Sequence, residues 1–350
     1  MIQASAAIAA GDAPVRLLGE CLARALAGHA GAPRLLVMFS TGEAEGDGAR
    51  LLAGARAVAP DAVVVGCGGA GVLAIPGGRG SEPREIEGEP ALAVLAVWGD
   101  DDELQLAALL AGELDKDPAA AGRLAGALAR DLFASTSTST STSTSTSRAL
   151  ILLPDAFALR APELFSGLAA GLGGDAALVV GAAAAALPTA SGKPSAASVW
   201  ASSPSPSPSP SPSPSPSPSP APGAAATHAL AALALGGRFR AHAVVAQGCR
   251  PISPWRTVTR SRGNVILELD GAPAFRAFAE VARGPLGDDL PRAARSIMVG
   301  LPAEEGARSA GMRAPAGSRS TKRSGVPSAM GCPRPSQPRS GSKPAMPRTT

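Results

Sequence analysis

The chain has 350 residues, 45% of them hydrophobic but only 3% aromatic with no tyrosine, so a core has to be built from leucine, valine and alanine. The net charge of +4 conceals a split: nine lysines and arginines and no acid lie in 306–350, leaving 23 basic against 28 acidic residues in 1–305, which argues against a nucleic-acid-binding face on the folded part. No apolar run approaches the ~20 residues of a membrane helix, and the four scattered cysteines lack the CxxC spacing of a zinc site or the density of a disulfide framework.

In chain order, IQASAAIA near the N-terminus reads as a strand. A helix follows, with Val15, Leu18, Leu22, Ala25 and Leu26 at helical spacing and Asp12 as its cap. No basic residue precedes Arg16, so a secretory leader is not expected and the cytoplasm is the expected location. RLLVMFS from Arg34 predicts a buried strand, and Glu43–Val58 predicts a helix with Leu51, Leu52, Ala55 and Val58 on one face. A strand ends at Gly66, and ALAVLAVW and LQLAALL predict a hairpin around GDDDE.

The layout then returns. Arg34 opens an apolar run and Asp61 stands 27 positions later; Arg148 opens RALILLP and Asp175 stands 27 positions later. AVVVGCGGAG at Ala62–Gly71 recurs as ALVVGAAAAAL from Ala177 to Leu187, and a third apolar run follows each. A period of about 114 residues predicts an internal duplication. The second copy predicts a helix over Pro162–Leu172, the strand ALVV, and paired strands at His228–Leu235 and Arg240–Gln247. VILELD after Gly263–Asn264 is a further strand, and Ala272–Ala282 a helix carrying Phe275, Phe278 and Val281.

Two low-complexity tracts interrupt the pattern. Ser135–Ser147 alternates Ser and Thr, Ser203–Pro220 alternates Ser and Pro, and neither can bury apolar area, so both predict disorder. From Gly66 to Ala91 is 25 residues and from Gly181 to Ala229 is 48, so the Ser/Pro tract accounts for the excess as a loop insertion. The basic tail carries no Leu, Ile, Phe or Trp and predicts no fold of its own. Such a tail is the composition of an electrostatic arm, and equally that of GC-rich coding sequence read out of frame.

The expected organisation is a first α/β half over 1–134, the Ser/Thr insert over 135–147, a second half beginning over 148–202, the Ser/Pro insert over 203–222, the continuation over 223–301 and the tail over 302–350. The fold class is α/β: two internally similar sheet-plus-helix halves forming a layered sandwich.

Gly66-Cys67-Gly68-Gly69-Ala70-Gly71 matches GxGxxG literally. A dinucleotide site needs a helix to begin there, yet Pro76, Gly77, Gly78 and Gly80 follow within ten residues, so the glycines are expected to shape a strand-to-loop bend and no cofactor is expected. No GxSxG occurs, and the three histidines lie outside any motif. Cys67 is the one candidate nucleophile and has no evident base; a small apolar residue tucked under the bend is the plainer reading. Gln247-Gly248-Cys249-Arg250-Pro251 follows a strand, where Arg250 can present a fork to a carboxylate or pair with Glu268 or Asp270, and Gln247 can orient an amide or ammonium.

VVVGCGGAGV with Gly77–Gly78, EPALAVLAV, VVGAAA and above all QGCRPISP…TVT…GNVILELDGAPA resemble the FIST domain family over Leu35–Leu301 apart from the tracts. The resemblance covers a FIST N-terminal domain and part of the C-terminal one. It implies a sensory module that binds small molecules such as amino acids, with no catalytic residues to carry over and no metal. The candidate ligand-binding positions are Gly66, Cys67, Gly68, Gly69, Gly71, Gln247, Gly248, Cys249 and Arg250, with the site expected where the two segments meet. The chain departs from the family in its Gly68-Gly69 pair, its alanine-rich second turn and the basic tail after SIMVGLP. The expected function is a cytoplasmic small-ligand sensor acting through a protein partner, without membrane attachment; the alternatives are an enzyme using Cys67 and a scaffold working through its low-complexity segments.

Overall fold

A computed structural model of the chain describes residues 1–42, 47–76, 81–138, 147–175, 177–181, 184, 198–203, 224–243, 250–262, 265–283, 287–290, 293–294, 297–300, 326–327 and 330–331. The chain divides into two compact units, Met1–Ala243 and Val244–Thr350.

The first unit opens with β1 (Gln3–Ala10), α1 (Pro14–Leu26), β2 (Leu35–Thr41), α2 (Asp47–Val58) and β3 (Val63–Gly68), followed by β4 (Gly71–Ala74), β5 (Arg84–Glu87) and β6 (Ala91–Trp98). The same series then recurs as β7 (Gln105–Ala111), α3 (Pro118–Thr138), β8 (Ser147–Pro154), α4 (Ala161–Leu172), β9 (Leu178–Gly181), β10 (Val199–Ser202), β11 (Ala224–Ala226) and β12 (Leu230–Gly237). One sheet runs β1-β6-β2-β3-β10-β11 and the other β7-β12-β8-β9. In each, the first strand pairs antiparallel with the last, the last antiparallel with the second, and the second parallel with the third. The duplication read from spacing is a duplication of topology.

Alternation along the strands sorts the side chains into layers. Leu36, Met38, Val64, Leu92 and Val94 face α1 and α2, while Leu35, Val37, Val63 and Val65 face Leu153, Ala231 and Leu233 of the second sheet. That sheet turns Leu150, Leu152, Leu230 and Ala232 toward α3 and α4. The result is a helix–sheet–sheet–helix sandwich, the layered α/β class the sequence predicts.

Helices α3 and α4 approach backbone to backbone through glycines spaced four apart on both. A Cβ at Gly122 would lie 2.1 Å from the Leu164 carbonyl oxygen, one at Gly126 2.5 Å from that of Leu168, and one at Gly167 2.0 Å from that of Ala119. Asp117 caps α3 by accepting a hydrogen bond from the Ala120 amide at 2.8 Å.

Several local expectations are corrected. ALAVLAVW and LQLAALL do not form a hairpin: β6 lies in the first sheet and β7 in the second, so the chain changes layers at 99–104. Sheet membership thus divides the halves between Trp98 and Gln105, and α3, unread in the sequence, belongs to the second. Asp12 does not cap α1, whose N-cap is Ala13 without a side-chain bond; it lies 3.4 Å from Arg16 instead. Val58 of α2 points outward, 52% exposed, while Leu51, Leu52 and Ala55 are buried. The last turn of α3 includes Ser135–Thr138 and β8 begins at Ser147, so the Ser/Thr tract contributes to both elements at its ends, and 139–146 lie outside the described residues. β10 pairs antiparallel with β11, Val199 opposite Ala226, and the residues between them in the chain, 204–223, lie outside the described residues. Of the strand expected at Arg240–Gln247, Arg240–Ala243 are irregular and the remainder is not described.

In the second unit, Val258–Arg262 and Val265–Leu269 pair antiparallel, and a helix spans Ala274–Val281. Asp270 and Gly271 adopt positive φ, 52° and 78°. The Asp270 carboxylate accepts the Thr257 amide at 2.8 Å, and the Gly271 amide donates to the Thr259 hydroxyl at 3.0 Å. TVT and LDG are therefore two halves of one tied turn.

Gly167→Ala is expected to force α4 away from α3 and lower unfolding stability by about 2 kcal/mol, as read from the midpoint of urea denaturation; Ala169→Ser on the exposed face of α4 should leave it within about 0.5 kcal/mol.

Candidate functional site

The glycine segment lies at the carboxyl ends of the parallel pair β2 and β3, beside the start of α2, the position where open α/β sheets hold ligands. Its members have different duties there. Gly66 and Gly68 are strand residues of β3, not turn residues, and Gly71 opens β4. A strand, not a helix, follows, so the amide array and helix terminus of a dinucleotide site do not form. The Gly68 amide donates to the Ser198 carbonyl at 2.9 Å and the Gly69 amide to the Ser40 carbonyl at 2.7 Å, which commits both to the fold.

Gly66 lacks a side chain for a packing reason. A Cβ there would lie 1.9 Å from the Met38 carbonyl oxygen and 2.6 Å from Nε1 of Trp200. Trp200 stands directly opposite Gly66 in the antiparallel β3–β10 pairing and is fully buried among Met38, Leu51 and Val64. Cys67, pointing the other way, is 5% exposed in the layer between the sheets with Val65, Val199 and Leu153. It is a core residue, as the plainer reading held.

What the bend does achieve is to aim the β4–β5 hairpin back over the inner face of the first sheet. Val72 and Ile86 close on Ile8, Ala91 and Ala93. Between this hairpin and the sheet is a cavity of about 560 Å³, floored by Ala4 and Ala6 of β1, Ala93 and Leu95 of β6 and Phe39 of β2, and walled by Leu73, Ala74 and Ile75. Among its described lining residues Ser5 and Ser81 are the polar ones and none is charged. Leu73, Ile75 and Leu95 at its rim are 64%, 53% and 37% exposed, large apolar groups held in water. The sequence reading missed this site: Ala4, Ala6 and Ala93 are indistinguishable in sequence from other alanines, and only strand pairing places them together.

Of the other candidates, Gln247, Gly248 and Cys249 lie outside the described residues, and Arg250 begins a two-residue strand, Arg250–Pro251, in the second unit. The carboxylates offered as its structural partners are engaged elsewhere: Glu268 lies 2.9 Å from Arg260, and Asp270 3.9 Å from Arg256. Arg256 also meets Glu280 at 2.6 Å, an ion pair that holds the Glu280 carboxyl below the usual range. Cys21, on the buried face of α1, has its thiol pushed up to about 11 by burial, so it is inert as a nucleophile. Among the described residues no cluster of three His, Cys, Asp or Glu is arranged to hold a metal ion, and no helix is long and apolar enough to cross a membrane.

Comparison with known proteins agrees with the architecture. Two uncharacterized proteins of Mycobacterium tuberculosis, from strain CDC 1551 / Oshkosh and strain ATCC 25618 / H37Rv, are each 36% identical over 81 residues, 23% of this chain and 20% of theirs. The chain thus matches about one fifth of the length of these curated relatives. A family model described as the FIST N domain matches residues 34–272, from the start of β2 to the tied turn of the second unit. With well over half of the chain matched, the protein belongs to the FIST family of small-ligand sensory domains.

Proposed function

We propose that the protein is a small-ligand sensor whose ligand enters the cavity under the β4–β5 hairpin and whose bound state is read by a partner protein. The observation that supports this reading is the cavity itself: about 560 Å³, apolar among its described lining residues, and bordered by exposed Leu73 and Ile75. Pockets of that size and lining suit small organic ligands. A ligand that bridges hairpin and sheet would order the hairpin, and an ordered hairpin is a surface a partner can distinguish.

The lining also bears on ligand class. A free carboxylate or ammonium in an apolar pocket without a counter-charge loses hydration that nothing returns. Among the described lining residues nothing supplies that charge, so an amino acid is served less well here than a neutral or weakly polar molecule.

A thermal-shift panel of neutral apolar and amino-acid ligands checks this directly. A ligand at a hundred times its dissociation constant adds about 2.7 kcal/mol of stability; Leu73→Asp should abolish the shift given by the apolar ligands while leaving the unliganded melt within about 0.5 kcal/mol, since Leu73 is exposed. Shifts confined to amino acids, insensitive to Leu73→Asp and lost in Arg250→Ala, would move the site to the second unit. Cys67→Ser should cost about 2 kcal/mol by placing a hydroxyl between the sheets, whereas Cys67→Ala should cost less than that serine variant in the same melt; an activity lost in Cys67→Ser with the melt unchanged would instead reveal an enzyme.

A further inference from the structure

The two repeats are not treated alike, and the difference exposes a second site. In the first sheet Met38 pairs with Gly66, and the edge beyond β3 is covered by β10, whose Trp200 lies across Gly66 against Met38, Val64 and Leu51. In the second sheet Leu152 pairs with Gly181 in the same parallel register. Leu152, Val179 and Gly181 therefore stand where Met38, Val64 and Gly66 stand in the first repeat. A Cβ at Gly181 would meet the Leu152 carbonyl oxygen at 2.7 Å, as one at Gly66 would meet Met38. Yet β9 pairs with β8 alone among the described strands. In place of a tryptophan there is a cavity of about 260 Å³, lined by Leu152, Val179, Gly181, Leu164, Leu159 and Phe165. Val180 and Phe165 at its mouth are 41% and 52% exposed.

We propose that this cavity is a binding site for a planar aromatic ring of indole size, the group that fills its counterpart in the first repeat. Three features carry the assignment. The floor is a glycine that lets a flat ring lie on the strand. The walls are aliphatic and aromatic, with no charged side chain among the described lining residues. The counterpart ring is held by shape alone, since Nε1 of Trp200 has no hydrogen-bond partner among the described residues, so an apolar fit suffices here as well. An engineered apolar cavity of roughly 150 Å³ already accepts benzene, and a bicyclic ring needs more. The ring can come from a free small aromatic or from a tryptophan on an extended strand that pairs with the edge of β9 left unpaired among the described strands, as β10 pairs with β3.

The test uses the full chain and two probes: 5-fluoroindole followed by ¹⁹F NMR, and an acetylated, amidated peptide of residues 198–203, SVWASS, followed by amide shifts of the protein. Saturable binding of either probe, with perturbations centred on Val179–Gly181 and Phe165, is the expected result. Leu159→Trp, which fills the cavity from its wall, should abolish it, and Phe165→Ala, at an exposed position, should weaken it roughly fivefold. Peptide binding that protects the Val180 and Gly181 amides from exchange identifies a strand as the source; binding of 5-fluoroindole alone identifies a small aromatic. Absence of saturable binding by both probes, or binding that survives Leu159→Trp, overturns the assignment. Leu73→Asp should leave both probes unaffected, which separates this site from the cavity under β4–β5.

Discussion

The contact on which the arrangement of the first unit turns is the one between Trp200 and Gly66. It carries a hairpin of the second repeat onto the sheet of the first, and it forms only because β3 has no side chain at that point. An indole buried completely against Met38, Leu51 and Val64 contributes several kcal/mol of apolar burial. It also sets the asymmetry between otherwise matching halves. The first sheet gains two strands, to six, and the second remains at four.

That asymmetry accounts for both cavities. In the first repeat the hairpin that follows β3 does not extend a sheet; it folds over the inner face, where Val72 and Ile86 pack on Ile8 and Ala93, and the larger cavity opens beside them. In the second repeat the corresponding hairpin is β10–β11, which has left its own sheet, and β9 is without a neighbour on its outer side among the described strands. Among the described strands, the exchange of one hairpin leaves one covered edge and one open edge. The chemistry of the covered edge then serves as a template for the open one.

The family's motifs take on physical meaning in this frame. The run VVVGCGGAGV is not a phosphate cradle but a strand, a glycine seat for an indole, a core cysteine and a bend that launches a hairpin. The tied turn between TVT and LDG in the second unit depends on Asp270 and on the positive φ of Gly271. Small-ligand sensing needs a formed pocket, and the β4–β5 hairpin walls one side of the larger cavity.

Much of the fold was legible from sequence because it rests on local rules. The buried strands RLLVMFS and RALILLP, the helices over α1 and α4, and the repeat itself follow from apolar periodicity and from the spacing of Arg34, Arg148 and the glycine runs. The helix α3 was also there to be read, since Asp117–Pro118 is an ordinary start signal, but its alanines lack the periodic contrast that marks a helix. What sequence could not decide is which strand pairs with which. ALAVLAVW and LQLAALL suit a hairpin equally well until a second sheet competes for one of them. Trp200 stands 134 residues from Gly66, and Ala4 stands 89 from Ala93. Register and sheet membership arise from the summed packing of whole faces, so the pairing of an aromatic with a glycine seat, and the cavities that pairing leaves, were determined by the tertiary structure alone.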